Sequence, residues 1–180
     1  MNIKSEESEA RKWNEKGKAL RAMGKYKEAI VCYDRAIKIE PKYVTARYNK
    51  GNALLALGMY RQAIGCYDKV ISINPKDASA WHSKGWALDA LGRYNEALTC
   101  HNQAIKITPK NIDLWNDKGT ALYALNRYKE ALICFDKAIK IEPLYDRARN
   151  NKRLILNGLD APNEMLKRNR GLSRAVKFSH

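Results

Sequence analysis

A shift of 34 residues lays this sequence on itself, and that period confines the chain to an array of like units stacked end to end. Gly17, Gly51, Gly85 and Gly119 come into register, each inside a Lys-Gly-x-Ala-Leu segment. Tyr26, Tyr60, Tyr94 and Tyr128 follow nine residues later, then Ala29, Ala63, Ala97 and Ala131, and each unit closes at Pro41, Pro75, Pro109 or Pro143. Four residue types kept in step over four copies fix the repeats at 10–43, 44–77, 78–111 and 112–145, after an N-terminal extension of 1–9.

Inside each unit the spacing is helical. At 100° per residue, positions 4, 8 and 11 of a repeat share one stripe: Trp13, Gly17 and Leu20 in the first, Trp81, Gly85 and Leu88 in the third. Positions 3, 7, 10 and 14 form a second stripe rich in Ala and Leu. Two such stripes require cover on two sides, one from a partner helix in the repeat and one from the preceding repeat. Gly at position 8 and Ala at position 20 let two antiparallel helices approach closely, a return for the ~1 kcal/mol that Gly costs in a helix. Gly24, Gly58, Gly92 and Asn126 mark left-handed ends of the first helices. The prolines end the second ones. First helices are expected near 10–23, 44–57, 78–91 and 112–125, and second helices near 26–39, 60–73, 94–107 and 128–141.

The order Trp, Gly, Tyr, Ala, aromatic, Ala, Pro in a 34-residue period resembles the tetratricopeptide repeat (TPR). The resemblance covers 10–145 and implies an all-α fold, a right-handed α-α superhelix of antiparallel helix pairs. Three departures stand out: Arg47 at the Trp site of repeat two, His101 at the aromatic site of repeat three, and Lys at position 7 of every unit. Lys12 occupies position 3 in the first repeat, where inner repeats carry Ala46, Ala80 and Leu114, because no repeat precedes it. At the other end 146–157 resumes the phase of a first helix, with Arg153 where the Gly should be. This is expected to be a capping helix, followed by a tail over 158–180.

Positions 2, 5, 9 and 12 of the first helices are expected to stay uncovered, and the resemblance implies that they line a concave groove that binds peptides. They are Arg11, Asn14, Lys18 and Arg21; Thr45, Tyr48, Asn52 and Leu55; Ser79, His82, Trp86 and Asp89; and Asp113, Asn116, Thr120 and Tyr123. Unlike the scaffold positions they differ from copy to copy, as a groove reading an asymmetric ligand would. Trp86, Tyr48 and Tyr123 are the foremost contacts, since Trp and Tyr dominate binding hot spots; the bland account is that they pack on their neighbours. The resemblance gives Asn52 a bond to the ligand backbone. His82 could pair with a carboxylate or stand alone in solvent.

Chaperone-binding members of the family resemble one another in a dicarboxylate clamp of basic and Asn side chains on three successive first helices. The matching positions here are Asn14, Lys18, Asn49, Ser79 and Ser83, or one repeat on Tyr48, Asn52, Ser83, Asp113 and Asp117. Neither set has basic residues in its third repeat, so tails of that kind are not expected to bind. A basic repeat one with an acidic repeat four suits a ligand of mixed charge.

Other functions find little purchase. The formal charge of +15 favours acidic partners in long-range steering. No apolar run is long enough for a membrane span. The charged stretch from Met1 to Lys12 is not a secretory signal, and the chain reads as intracellular and cytoplasmic. Cys32, Cys66, Cys100 and Cys134 all fall at position 23. Packed helices lie ~8–10 Å apart, beyond disulfide reach, so they read as small apolar filler rather than disulfides or a metal site. No cofactor is implied. His82, His101 and His180 lie in unrelated settings, and no phosphate-binding Gly loop exists, so no enzyme is expected. Lys16, Lys50, Lys84 and Lys118 form a row that could track a phosphate backbone, or whose stems simply cover apolar surface. The tail mixes Lys167, Arg168, Arg170, Arg174 and Lys177 with Met165, Leu166, Leu172, Val176 and Phe178. It is either a basic amphipathic helix or a disordered solubilising tail. The leading expectation is a protein-binding adaptor; RNA or anionic-surface binding through the Lys row and tail, and self-assembly, are the alternatives.

Overall fold

A computed structural model describes residues 3–158. Eight helices run α1 Ile3–Ala22, α2 Tyr26–Ile39, α3 Val44–Ala56, α4 Tyr60–Ile73, α5 Ala78–Ala90, α6 Tyr94–Ile107, α7 Ile112–Ala124 and α8 Tyr128–Ile141. A ninth, α9, covers 146–158, and no strand occurs among the described residues. The boundaries fall within a residue or two of those read from the repeat, with one exception. The helix of repeat one begins at Ile3, so the described part of the expected extension continues α1. Nothing in 3–9 breaks a helix, and Glu6 in the first turn suits its positive end. From residue 159 on, the basic tail lies outside the described residues.

The punctuation works as its chemistry requires. Gly24, Gly58 and Gly92 have φ of +72 to +74°, and Asn126, the one non-Gly residue of positive φ among those described, has +58°. Second helices stop two residues before each Pro; Glu40 and Glu142 are extended there, as a residue preceding Pro must be.

Each helix packs on the next, and the backbones of α1, α3, α5 and α7 also approach one another closely in series, whereas those of the even-numbered helices stay farther apart. The odd helices therefore lie on the inside of the curve and the even ones splay outward. Within a pair, the glycine at position 8 sits beneath the ring at position 24. A Cβ placed on Gly17 would lie 2.5 Å from the Tyr33 ring, on Gly51 2.7 Å from Tyr67, on Gly85 2.6 Å from His101 and on Gly119 2.5 Å from Phe135. Ala29, Ala63, Ala97 and Ala131 are fully buried at the same crossings.

Two departures from the repeat pattern have structural substitutes. The indoles of Trp81 and Trp115 donate to the Pro75 and Pro109 carbonyls at 2.9 and 2.8 Å. Arg47 does the same work with its guanidinium, donating to the Pro41 carbonyl through Nε at 3.2 Å and Nη2 at 2.7 Å. The lysines of position 7 pair with an aspartate sixteen residues earlier, on the preceding repeat: Lys50–Asp34, Lys84–Asp68 and Lys152–Asp136, each at 2.6 Å. Lys118 has Asn102 at that offset and lies over the Trp115 ring instead. The heads of Lys50, Lys84 and Lys152 are thus anchored between repeats rather than merely solvated. α9 repeats the same contacts and buries Ala148 and Ile155, while Arg153 is exposed.

The cysteines are free thiols, and burial pushes Cys100 up to about 11 and raises Cys66 and Cys134. No helix among the described residues is long and apolar enough to cross a membrane.

The Gly–ring contact gives a paired expectation. Gly119→Ala drives a methyl into Phe135 and should cost about 1–3 kcal/mol. Gly65→Ala, in mid-helix with nothing within 4 Å of the new Cβ, should gain up to about 1 kcal/mol. Denaturant unfolding of the two variants checks both signs.

Candidate functional site

The inner surface of α1, α3, α5 and α7 carries the sixteen expected groove residues, but the stripe is not uniformly open. Position 5 is covered, contrary to expectation: Asn14 and Asn116 are 1% exposed. The reason is a ladder of polar contacts between repeats, in which position 5 of one unit meets position 6 of the next. Asn49 donates its amide to Asn14 Oδ1 at 3.0 Å, and Asn151 to Asn116 Oδ1 at 3.0 Å. Between them lie Tyr48 and Ser83, hydroxyl to hydroxyl at 3.2 Å, and His82 Nε2 with Asp117 Oδ2 at 2.7 Å. Position 5 therefore joins repeats. Tyr48 is half-buried, its ring 5.8 Å from that of Tyr67, so the expectation of an open contact fails for it in part.

The remaining positions divide by how far the scaffold engages them. Arg11, Lys18 and Arg21 are exposed at one end, where Lys18 pairs with Glu15 at 2.8 Å. Thr45 and Ser79 are exposed. Asn52 is half-buried and accepts the Tyr67 hydroxyl at 2.8 Å, and Leu55 packs against the Leu54–Ala63–Tyr67 cluster. Thr120 is exposed and bonds back to the Asn116 carbonyl at 3.1 Å. Trp86 and Tyr123 stay open, at 44% and 45% exposed. Each leans on a tyrosine that starts a second helix: Trp86 edge-on to Tyr60 at 6.2 Å, Tyr123 against Tyr128 at 5.5 Å.

Contrary to expectation, His82 and His101 are not in unrelated settings, and His180 lies outside the described residues. His82 and His101 lie with ring centroids 6.1 Å apart. His101, fully buried at the aromatic site, meets Asp89 Oδ2 through Nε2 at 2.8 Å. Asp89, Asp117 and Asp113 make the repeat three–four end of the groove acidic. Arg147 reaches into it from α9, 3.3 Å from Asp113 and 3.6 Å from Asp117. Tyr145 donates to Asp113 Oδ1 at 2.6 Å. No group of His, Cys, Asp and Glu among the described residues is arranged to hold a metal ion. Sequence phasing missed this ladder because its partners lie 35 residues apart, one period plus one. The visible signal was that every such pair can form a hydrogen bond.

Models described as TPR repeat match residues 17–58 and 85–125, and models described as tetratricopeptide repeat match 44–77 and 112–145, and 66–99. No curated protein matches the chain. Among solved structures, a crystal structure of MamA protein aligns over 95% of this chain and 96% of its own, with TM-score 0.79 and 20% identity. MamA 41-end from Desulfovibrio magneticus RS-1 aligns over 76% and 77%, with TM-score 0.72 and 26% identity. The first TPR of Spaghetti (RPAP3), solved bound to the HSP90 peptide SRMEEVD, aligns over 65% of this chain and 93% of its own, with TM-score 0.63 and 25% identity.

Asp117 gives the site a pH dependence. Burial alone would raise its carboxyl, but the His82 hydrogen bond and charge, the Asn116 hydrogen bond and the His101 charge outweigh burial and hold it below the usual range. A folded-state pKa below the unfolded one contributes stability that is complete above the ordinary aspartate value of about 3.9 and is lost as pH falls through the lower folded value. The stability gap between the native chain and Asp117→Asn should therefore narrow below about pH 4. Chemical denaturation at a series of pH values measures it; a gap constant down to pH ~2 would contradict the assignment.

Proposed function

We propose that this chain, which belongs to the tetratricopeptide-repeat family, is a non-catalytic adaptor whose concave groove holds a peptide or helix of another protein. The observation that carries this is the pair Trp86 and Tyr123. They are large aromatic side chains left nearly half exposed on the inner helices, while Tyr48, Asn52, Leu55, His82 and Asp89 of repeats two and three are wholly or partly engaged by the scaffold and only the small Thr45 and Ser79 are exposed beside them. Aromatic area of this kind is costly in water and is the usual anchor of a protein interface. The peptide-bound RPAP3 array, at 25% identity, supports a peptide as the class of ligand. Four unpaired thiols suit a reducing compartment, so we place the adaptor inside the cell, in the cytoplasm.

The clamp reading stays negative. Three of its candidate positions, Asn49, Ser83 and Asp117, spend their polar atoms on the ladder between repeats. The last repeat presents Asp113 and Asp117, which repel a carboxylate. Binding through the lysine row is weakened by the same kind of evidence, because two of its four members, Lys50 and Lys84, already have aspartate partners.

Two experiments test the reading. Affinity capture with Trp86→Ala/Tyr123→Ala should lose a protein that the native chain retains, with the helical circular-dichroism spectrum unchanged. These two are chosen over Tyr48 because Tyr48 also joins repeats two and three. Retention by both forms, or retention only of nucleic acid that salt removes, would move the site off the groove. Separately, the acidic peptide SRMEEVD should bind no tighter than ~1 mM, a binding free energy of only about 4 kcal/mol, by fluorescence anisotropy.

A further inference from the structure

The open aromatics do not stand alone. Trp86, Tyr94 and Tyr123 line one cleft of about 370 Å³ together with Asp89, Asp117 and Arg147. Aromatic faces carry negative charge at their centres and attract a cation within about 6 Å. Carboxylates beside them give that cation a hydrogen-bonding partner. Asp89 uses only Oδ2, on His101; its Oδ1 is shielded from water and accepts no hydrogen bond. That oxygen is out of reach of a ligand in the cleft; the carboxylate meets the cleft through the rest of its side chain, which is 23% exposed. Arg147 shows what the acids recruit: a guanidinium of the chain itself, 63% exposed and at the long distances of 3.3 and 3.6 Å, stands at one side of the same cleft.

We propose that this cleft is a subsite for an arginine side chain of the partner segment. The guanidinium is planar, so it can lie on the Trp86 or Tyr123 ring while its N–H groups reach Asp89 and Asp117. The inference rests on the adaptor reading and names the ligand chemistry of its groove. The chain's net charge of +15 does not forbid it. Screening confines each charge to about 8 Å at physiological salt, so the local groups decide: the carboxylates of Asp89, Asp113 and Asp117, with the Arg147 guanidinium and the hydrogen-bonded His82 and His101 rings beside them. The opposite end, with Arg11, Lys18 and Arg21, would receive acidic residues of the same segment and so fix its direction.

The test uses the full chain and two small probes, N-acetyl-arginine methylamide and its neutral isostere N-acetyl-citrulline methylamide. Both are titrated while the Trp86 indole N–H is followed by NMR, its signal identified by its loss in Trp86→Phe. The arginine probe should shift that signal with a Kd of roughly 1–10 mM, and the citrulline probe should not. Asp89→Asn should weaken the arginine probe about tenfold, the scale of one charge-assisted hydrogen bond. Arg147→Ala should strengthen it about threefold, because the competing cation is gone. Equal shifts from both probes, or weaker binding in Arg147→Ala, would overturn the proposal. A partner whose capture is lost in Trp86→Ala/Tyr123→Ala yet is indifferent to Asp89→Asn would keep the adaptor and overturn the arginine subsite alone.

Discussion

The contact on which the rest of the architecture depends is a ring seated directly on a helix backbone. At Gly17, Gly51, Gly85 and Gly119 the missing Cβ leaves the 2.5–2.7 Å that the facing ring of the second helix takes up. That approach draws the two helices of a repeat together at one point. Because the same contact recurs every 34 residues, so does the geometry of the pair. The odd helices then approach one another closely in series and the even ones diverge, which bends the stack and leaves the first helices on its inner surface. The groove is a consequence of the glycine.

A second layer of interactions sets how repeats meet. Ala46, Ala80, Leu114 and Ala148 are buried at position 3, and around them run two ladders, one of Lys–Asp pairs and one of position 5 to position 6. Exposed ion pairs contribute at most about 1 kcal/mol each, and neutral hydrogen bonds about 0.5–1.5 kcal/mol. The apolar contacts therefore carry the stack, and the ladders set register. That division explains why ladder residues vary while scaffold residues do not. A rung needs only to match its partner, so Asn with Asn, Tyr with Ser and His with Asp serve equally. Variation at position 5 is thus no sign of ligand contact, whereas variation at positions 9 and 12 retains that meaning for Trp86 and Tyr123.

Most of the fold was legible from the period alone, down to the left-handed Asn126, because each helix boundary is set by local chemistry: Gly or Asn at one end, Pro at the other. Contacts between units were less legible. Arg47 reads as a lost tryptophan until its guanidinium is seen on the Pro41 carbonyl, six residues away, where an indole would have donated. The lysine row reads as solvated heads on apolar stems, or as a track for phosphates, until Asp34 and Asp68 are found sixteen residues before Lys50 and Lys84. His82 and His101 look unrelated at a spacing of 19, and they meet only because α5 and α6 fold back on each other. In each case the missing information is a distance across an interface. Helical phase says which face a residue is on, but not what stands opposite.

The same reasoning gives His101 a meaning beyond a tolerated departure. The ring at position 24 always sits on the glycine, but its polar tip differs. In repeat one the Tyr33 hydroxyl is buried without a partner, and in the next two repeats the tip holds a side chain of the groove helix. In repeat two the Tyr67 hydroxyl holds Asn52, at position 9. In repeat three the His101 nitrogen holds Asp89, at position 12. Phe135 has no polar atom to offer in repeat four, and there the positions 9 and 12, Thr120 and Tyr123, are both exposed. A substitution made on the scaffold side, with no exposure of its own, thereby decides which groove side chain is held and where an acidic one is placed. The apparent flaw in the third repeat is what holds Asp89 in place on the inner helix, through a residue with no surface of its own.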